Sequence, residues 1–191
     1  DIQKTLHRAK IGSLLSPHQL LEIGSVLKIS GRVKDEIGKY PHPQNIPIII
    51  NMVEKVQRHK SLMDDIFRCI ESEDKISDYA SPQLTNIRRR IQRANEKIRE
   101  RLNSMIHSPH FQKFLQEPIV TIRNGRYVVP VKQEHRSSVP GMIHDQSSSG
   151  ATLFIEPMPV VEANNELKQL ELEEEKEIER ILMKLTDKVQ S

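Results

Sequence analysis

A stripe of apolar side chains runs through residues 82–106 at the spacing of an α-helix. Its members recur at intervals of three and four residues and are Leu84, Ile87, Ile91, Ala94, Ile98, Leu102 and Met105. Side chains at these intervals lie on one face of a helix. Ser81 and Pro82 supply an N-cap and a proline at the first helical position. The segment therefore predicts one long amphipathic helix that packs against a core.

The remaining faces of this predicted helix are basic. Residues 88–101 contain seven Lys or Arg side chains and two carboxylates. Guanidinium and ammonium groups bind phosphates, and the absence of aromatic side chains in this run favours contact with backbone phosphates over base stacking. The candidate nucleic-acid-binding residues are Arg88, Arg89, Arg90, Arg93, Lys97 and Arg101.

A structural interpretation of the same charges is equally open. The cations can pair within the helix with Glu96 and Glu100, or the helix can dock against an acidic segment. Residues 166–180 are such a segment, with seven acidic and three basic side chains. Opposite charge runs on two helices are commonly solvated or paired faces.

Helices are also predicted before residue 82. Ser16 and Pro17 begin a segment that runs to about Gly38, and a further helical segment extends from about Ile46 to Ile70. Proline, aspartate and serine residues mark the connections, with a loop over residues 74–78.

The apolar period changes from helical to alternating after Pro118. Two alternating runs flank Asn124-Gly125, which predicts a β-hairpin with a type I′ turn. A second strand pair is predicted at 141–146 and 152–156. Pro130 is expected at an edge or a bulge because it has no N–H to donate.

One helix of about thirty residues is predicted after Pro159, with a narrow apolar stripe typical of a coiled-coil arm. Glu174 interrupts that stripe. Because the chain begins at Asp1 rather than Met and has no helix-stop signal after Val189, we expect it to be a piece of a larger protein.

Composition excludes several classes of protein. The chain has 36% hydrophobic residues, a single cysteine, Cys69, and a net charge of +3. It therefore has enough apolar residues to fold, forms no intrachain disulfide, and has no apolar run near the ~18 residues that span a bilayer. We expect a soluble, cytoplasmic protein with no membrane partner.

No motif predicts catalysis, and we expect neither a metal nor a cofactor in this chain. The spacing from Gly31 to Gly38-Lys39 is too long for a phosphate-binding loop. His144 and Asp145 precede a serine cluster, but adjacent residues of a strand face opposite ways, which disfavours a hydrolytic triad.

Four stretches carry a family resemblance. They are EPIVTIRNGRYVVPVK at 117–132, VPGMIHDQSSSGATLFIEP at 139–157, and the segments 164–167 and 171–179. With the preceding helix, they closely resemble the second bacterial MutS family, the MutS paralogue with a C-terminal Smr domain. The resemblance implies a mainly α fold with a small antiparallel sheet and a protruding lever helix. The implied parts are a helical core at 1–117, a hairpin sheet at 118–158 and the start of the lever helix at 159–191.

The resemblance also implies a function. The chain would be a non-catalytic core and lever segment of a homodimeric ATPase and endonuclease that binds branched or duplex DNA and restrains homologous recombination. ATP and Mg²⁺ would be bound by an ABC-type domain elsewhere in that protein. The alternatives are a module that binds rRNA in an ATPase that rescues collided ribosomes, or a purely structural scaffold.

Overall fold

A computed structural model describes residues 2–190, which form a mainly α-helical fold with two small antiparallel sheets. The helices are α1 Ile2–Lys10, α2 Pro17–Gly38, α3 Pro47–Glu54, α4 Lys60–Cys69, α5 Pro82–Ile106, α6 Pro109–Gln112 and α7 Met158–Gln190. The strands are β1 Ile70–Ser72, β2 Lys75–Ile76, β3 Thr121–Arg123, β4 Arg126–Lys132, β5 Gly141–Gln146 and β6 Thr152–Pro157. The predicted fold class is thereby confirmed. None of the helices among the described residues has the length and apolar character needed to cross a membrane.

The chain divides into two compact units. The first comprises the residues up to Thr85 together with those from Lys176 onward, and the second comprises Asn86–Glu175. Each unit has its own hydrophobic core. The helices α5 and α7 each contribute residues to both units.

The core of the first unit forms where α2 and α4 pack together with the ends of α5 and α7. Its most deeply buried side chains are Leu15, Leu20, Ile66 and Leu84. The predicted start of α2 is confirmed: Ser16 Oγ accepts a hydrogen bond from the Gln19 amide, and the Gln19 side chain accepts one from the Ser16 amide. This reciprocal capping satisfies two amides that a helix start otherwise leaves unpaired.

The helical segment predicted at 46–70 is in fact two helices, α3 and α4, separated by residues 55–59. Tertiary contacts explain the break. The Lys34 ammonium donates to the carbonyls of Glu54 and Val56, at 3.2 and 2.6 Å, and Arg58 pairs with Asp35. The bonds from Lys34 satisfy two carbonyls that would accept from helical amides if the helix were continuous. The loop predicted at 74–78 includes β2, which pairs with β1 in a short antiparallel hairpin.

The second unit contains a four-stranded antiparallel sheet with strand order β3-β4-β6-β5. Its first hairpin is the predicted one: Asn124 and Gly125 both adopt positive φ, 51° and 72°, as a type I′ turn requires. The second predicted strand pair is also confirmed, by β5 and β6. Gly141 is needed there because a Cβ atom would lie 2.1 Å from the Glu156 carbonyl oxygen.

The prediction for Pro130 is wrong, because this residue lies in β4, an inner strand, opposite Phe154 of β6. Its carbonyl accepts a hydrogen bond from the Gln116 amide at 2.9 Å. In an antiparallel strand the N and C=O of one residue face the same side. The Pro130 nitrogen, which has no proton, therefore faces away from β6 and lies beyond the end of β3. The hydrogen bonds between β4 and β6 are not interrupted by this proline.

The predicted C-terminal helix is confirmed as α7. Its residues are more buried than those of a free arm. Leu167 and Leu170 belong to the core of the second unit, whereas Ile181 and Leu185 belong to that of the first. Apolar side chains of this helix therefore belong to both hydrophobic cores.

A buried carboxylate joins the sheet of the second unit to the start of α7. Glu156 has no exposed surface. Its Oε1 accepts from Arg126 at 3.1 Å and from the side-chain Nδ2 of Asn164 at 2.8 Å, and its Oε2 lies 2.5 Å from His144 Nε2. These partners come from β4, α7 and β5, so one carboxylate links four elements.

We expect Glu156→Gln to destabilise the chain by about 3 kcal/mol, because a buried charge cluster that loses one member leaves the others uncompensated. Urea unfolding followed by circular dichroism measures this change. Glu166→Gln, at an exposed position of α7, is the matched control. Equal unfolding midpoints for the two variants would contradict the structural role of the cluster.

A second buried carboxylate supports the start of α5 in the first unit. Glu177 Oε1 accepts from the hydroxyl of Ser81, the N-cap of α5, at 2.6 Å, and both Glu177 oxygens accept from Arg180. Ser81 Oγ in turn accepts from the Leu84 amide at 3.0 Å. The Arg180 bonds, and then the Ser81 bond, lower the pKa of Glu177 below its ordinary value of 4.5.

A lowered pKa in the folded state means that Glu177 stabilises the fold when ionised and loses this effect as the pH falls through the folded pKa. We expect Glu177→Gln to cost about 1–3 kcal/mol at pH 7, and the difference from the unsubstituted chain to shrink below pH 4.5. Unfolding free energies at a series of pH values test this. Glu179→Gln is the control, and a difference that stays constant down to pH 3 contradicts the assignment.

Candidate nucleic-acid interface

The helix α5 presents its cations from a well-anchored scaffold. Its inward face contributes Ala94, Ile98, Leu102 and Ile106 to the core of the second unit. Burial of these apolar side chains fixes the rotation of the helix. The polar faces of residues 86–106 are therefore presented in one orientation within that unit.

Two of the six predicted cations are engaged by α7. Arg88 Nε donates to Glu174 Oε1 at 2.6 Å, and both side chains are only about a quarter exposed, 24% and 26%. Arg90 Nη1 lies 3.5 Å from Glu173 Oε2. Docking against the acidic helix, the structural alternative, thus describes these two residues. It also explains why Glu174 interrupts the apolar stripe of α7.

The other four predicted cations are exposed and lie four residues apart in one row. They are Arg89, Arg93, Lys97 and Arg101. Within residues 2–190 their side chains make no hydrogen bond or ion pair. Residues four apart are neighbours on a helix surface, and at 1.5 Å per residue the row extends about 18 Å. We call these four residues the cation row.

Two carboxylates lie on the same exposed surface as the cation row. They belong to Glu96 and Glu100, and Glu96 accepts a hydrogen bond from Gln92 at 3.0 Å. Neither forms an ion pair with the row. The surface therefore retains a positive balance over its length, which is the electrostatic condition for contact with a phosphate backbone.

Arg99 belongs to the same basic run but lies outside the six predicted residues. Its guanidinium lies 5.8 Å from the centroid of the Tyr127 ring, a cation–π arrangement. Tyr127 Oη in turn donates to Asn95 Oδ1 at 2.7 Å. A groove of about 670 Å³, whose lining includes Arg99, Asn103, His107 and Ile119, opens beside them. Sequence spacing does not reveal this groove because residues 118–122 approach from outside the helix.

The residues that resemble catalytic motifs are not brought together. His144 contacts Glu156, whereas Asp145 Oδ2 lies 3.3 Å from Arg123 Nε. Ser147 accepts a hydrogen bond from the Thr152 amide within a turn. The predicted separation of His144 and Asp145 is therefore confirmed, and the serine takes part in turn formation.

The segment that resembles a phosphate-binding loop is also accounted for. Gly31–Gly38 lies inside α2, a continuous helix, and a helix cannot wrap its amides around a phosphate as such a loop does. Among residues 2–190 no three His, Cys, Asp or Glu side chains are grouped as metal ligands would be.

The chain is similar in sequence to several known bacterial proteins. No family model matches the chain. It is 51% identical over 97% of its length to a protein of Alkaliphilus oremlandii and 47% identical over 99% to one of Alkaliphilus metalliredigens. It is 48% identical over 97% to a protein of Clostridioides difficile. All three are named endonuclease MutS2.

The chain spans only about a quarter of the length of these relatives, 23% or 24%. The match nevertheless covers nearly all of its residues, including the four stretches on which the family resemblance rests. The chain is thus similar, from end to end, to one segment of the proteins named endonuclease MutS2, which confirms its resemblance to the second bacterial MutS family.

Proposed function

We propose that this chain is a non-catalytic core and lever segment of a MutS-like ATPase and endonuclease, and that the cation row contacts the phosphate backbone of branched or duplex DNA. In this proposal, ATP with Mg²⁺ is bound, and nucleic acid is cut, by other domains of the longer protein. That protein acts in the cytoplasm as a homodimer and restrains homologous recombination.

The observation that carries the proposal is the division among the six predicted cations. Arg88 and Arg90 are neutralised by α7, but the cation row is left without partners in the described part of the chain. Exposed cations on a rigid helix contact phosphates without reading base sequence. The names of the relatives, which contain the word endonuclease, support a nucleic acid as the ligand.

The lever role rests on how α7 is mounted. Asn164, in its first two turns, contacts Glu156 and also exchanges hydrogen bonds with the Tyr127 backbone at 3.3 and 3.4 Å. Rigid secondary-structure elements such as this helix can carry energetic coupling between distant sites. This arrangement suits a segment that couples ATP-driven movement to DNA contact.

Neutralising the cation row is expected to weaken DNA binding and its dependence on salt. With Arg89, Arg93 and Lys97 changed to Gln, the slope of log K against log salt should become shallower by about 2–3, since each lost contact with B-DNA removes about 0.9. Fluorescence anisotropy with a four-way junction and with duplex DNA, at several salt concentrations, measures both affinity and slope.

The matched control removes the same charge elsewhere. Lys4, Lys10 and Lys55 are exposed and lie outside α5, so their replacement by Gln should leave the slope within error of the unsubstituted chain. Equal slopes for both triple variants would refute contact by the cation row. Loss of ribosome cosedimentation with unchanged DNA binding would favour the rRNA-binding alternative instead.

A further inference from the structure

A second basic feature lies in the first unit, in a cavity between α2 and the start of α4. Its volume is about 300 Å³. The polar part of its lining consists of Lys28, Arg32, Asp35, Arg58, His59 and Lys60. Leu27, Gly31 and Met63 supply the apolar part. The cation row consists of other residues, which belong to the second unit.

The cavity holds more positive charge than its own carboxylate neutralises. Arg58 pairs with Asp35, the one acidic side chain of the lining. Within residues 2–190 the side chains of Arg32 and Lys60 form no hydrogen bond or ion pair. Unpaired cations that converge on a concavity raise the local concentration of anions.

The wall of the cavity is held in place before any ligand binds. Lys34 donates to the carbonyls of Glu54 and Val56, which tethers residues 54–56 to α2, and the Arg58–Asp35 pair tethers the next part of the same segment. A site that is already formed loses less entropy when a ligand binds.

The start of α4 adds to this charge. The helix begins at Lys60, and the preceding residue, His59, makes no capping hydrogen bond with its side chain. The amides of a first helical turn have no partners within the helix and form its positive end. Here that end lies beside Lys60 and His59, which both line the cavity.

We propose that this cavity binds a small phosphate-bearing ligand, of the size of pyrophosphate or of the diphosphate group of a nucleotide. Its volume lies at the lower end of the range for small-molecule sites, about 300–1,000 Å³. A nucleic-acid backbone requires an extended surface such as the cation row, whereas this site is concave and local. The apolar wall formed by Leu27 and Met63 accommodates the remainder of such a ligand.

Gly31 permits a test that changes volume without changing charge. A Cβ atom at Gly31 would meet no atom within 4 Å, and leucine favours a helix more than glycine does. Gly31→Leu should therefore keep the fold and fill the cavity. Gly38→Leu is the matched control: it lies in the same helix with the same open surroundings but does not line the cavity.

The experiment is a calorimetric titration of the 191-residue chain with pyrophosphate. We expect saturable binding at one site, weakened about tenfold or more by Gly31→Leu and by Arg32→Gln, and unchanged by Gly38→Leu. Neutralising Arg89, Arg93 and Lys97 should also leave it unchanged, so that failure of the cavity and failure of the DNA interface can be told apart. Thermal melts verify that each variant is folded.

A parallel titration with ADP distinguishes the two sources of the phosphate group. Equal affinities identify the diphosphate alone as the ligand, and tighter binding of ADP identifies a nucleotide. The proposal is overturned if pyrophosphate does not saturate the chain or if Gly31→Leu binds it as well as Gly38→Leu does. It is also overturned if a short oligonucleotide binds the cavity more tightly than either small ligand.

Discussion

The buried carboxylate of Glu156 is the interaction on which the second unit depends. Removing a carboxylate from water costs on the order of several kcal/mol unless cations and hydrogen-bond donors surround it. Arg126, His144 and Asn164 provide those groups, and each comes from a different strand or helix. Satisfying one charge therefore brings β4, β5, β6 and the start of α7 together.

This cluster is connected to the helix that carries the cation row. Asn164 exchanges hydrogen bonds with the backbone of Tyr127, and the Tyr127 hydroxyl donates to Asn95 of α5. Asn95 in turn donates to the carbonyl of Ile91 in the same helix. A polar path within one unit thus runs from the base of α7 to the basic helix. It gives the proposed lever a defined mounting beside its proposed contact surface.

Arginine has two roles on α5, and the role of each arginine depends on the side chains around it. The Arg88 side chain is only about a quarter exposed, 24%, and it forms an ion pair with Glu174, so its charge contributes to packing. Arg89, one position later, is exposed and has no such partner among residues 2–190. The cavity in the first unit differs again, because its cations converge instead of lying in a row. The extended cation row thus suits a nucleic-acid backbone, whereas the concave cavity suits a small anion.

Local signals in the sequence were sufficient for much of the fold. The stripes of α5 and α7, the cap at Ser16 and the Asn124-Gly125 turn all depend on residues within a few positions of one another. They therefore predicted their elements correctly, and the ordered motifs around them predicted the family resemblance. The six candidate cations could likewise be identified from the sequence, because they occupy the faces of α5 that the apolar stripe does not.

Interactions between distant residues decided the rest. Arg88 and Glu174 are 86 positions apart, and no local pattern shows that they pair while Arg89 does not. The break at residues 55–59, the inner position of Pro130 and the burial of Glu156 arise in the same way. Each involves hydrogen bonds or ion pairs between residues that are far apart in the sequence, and these partners meet only when the backbone has folded.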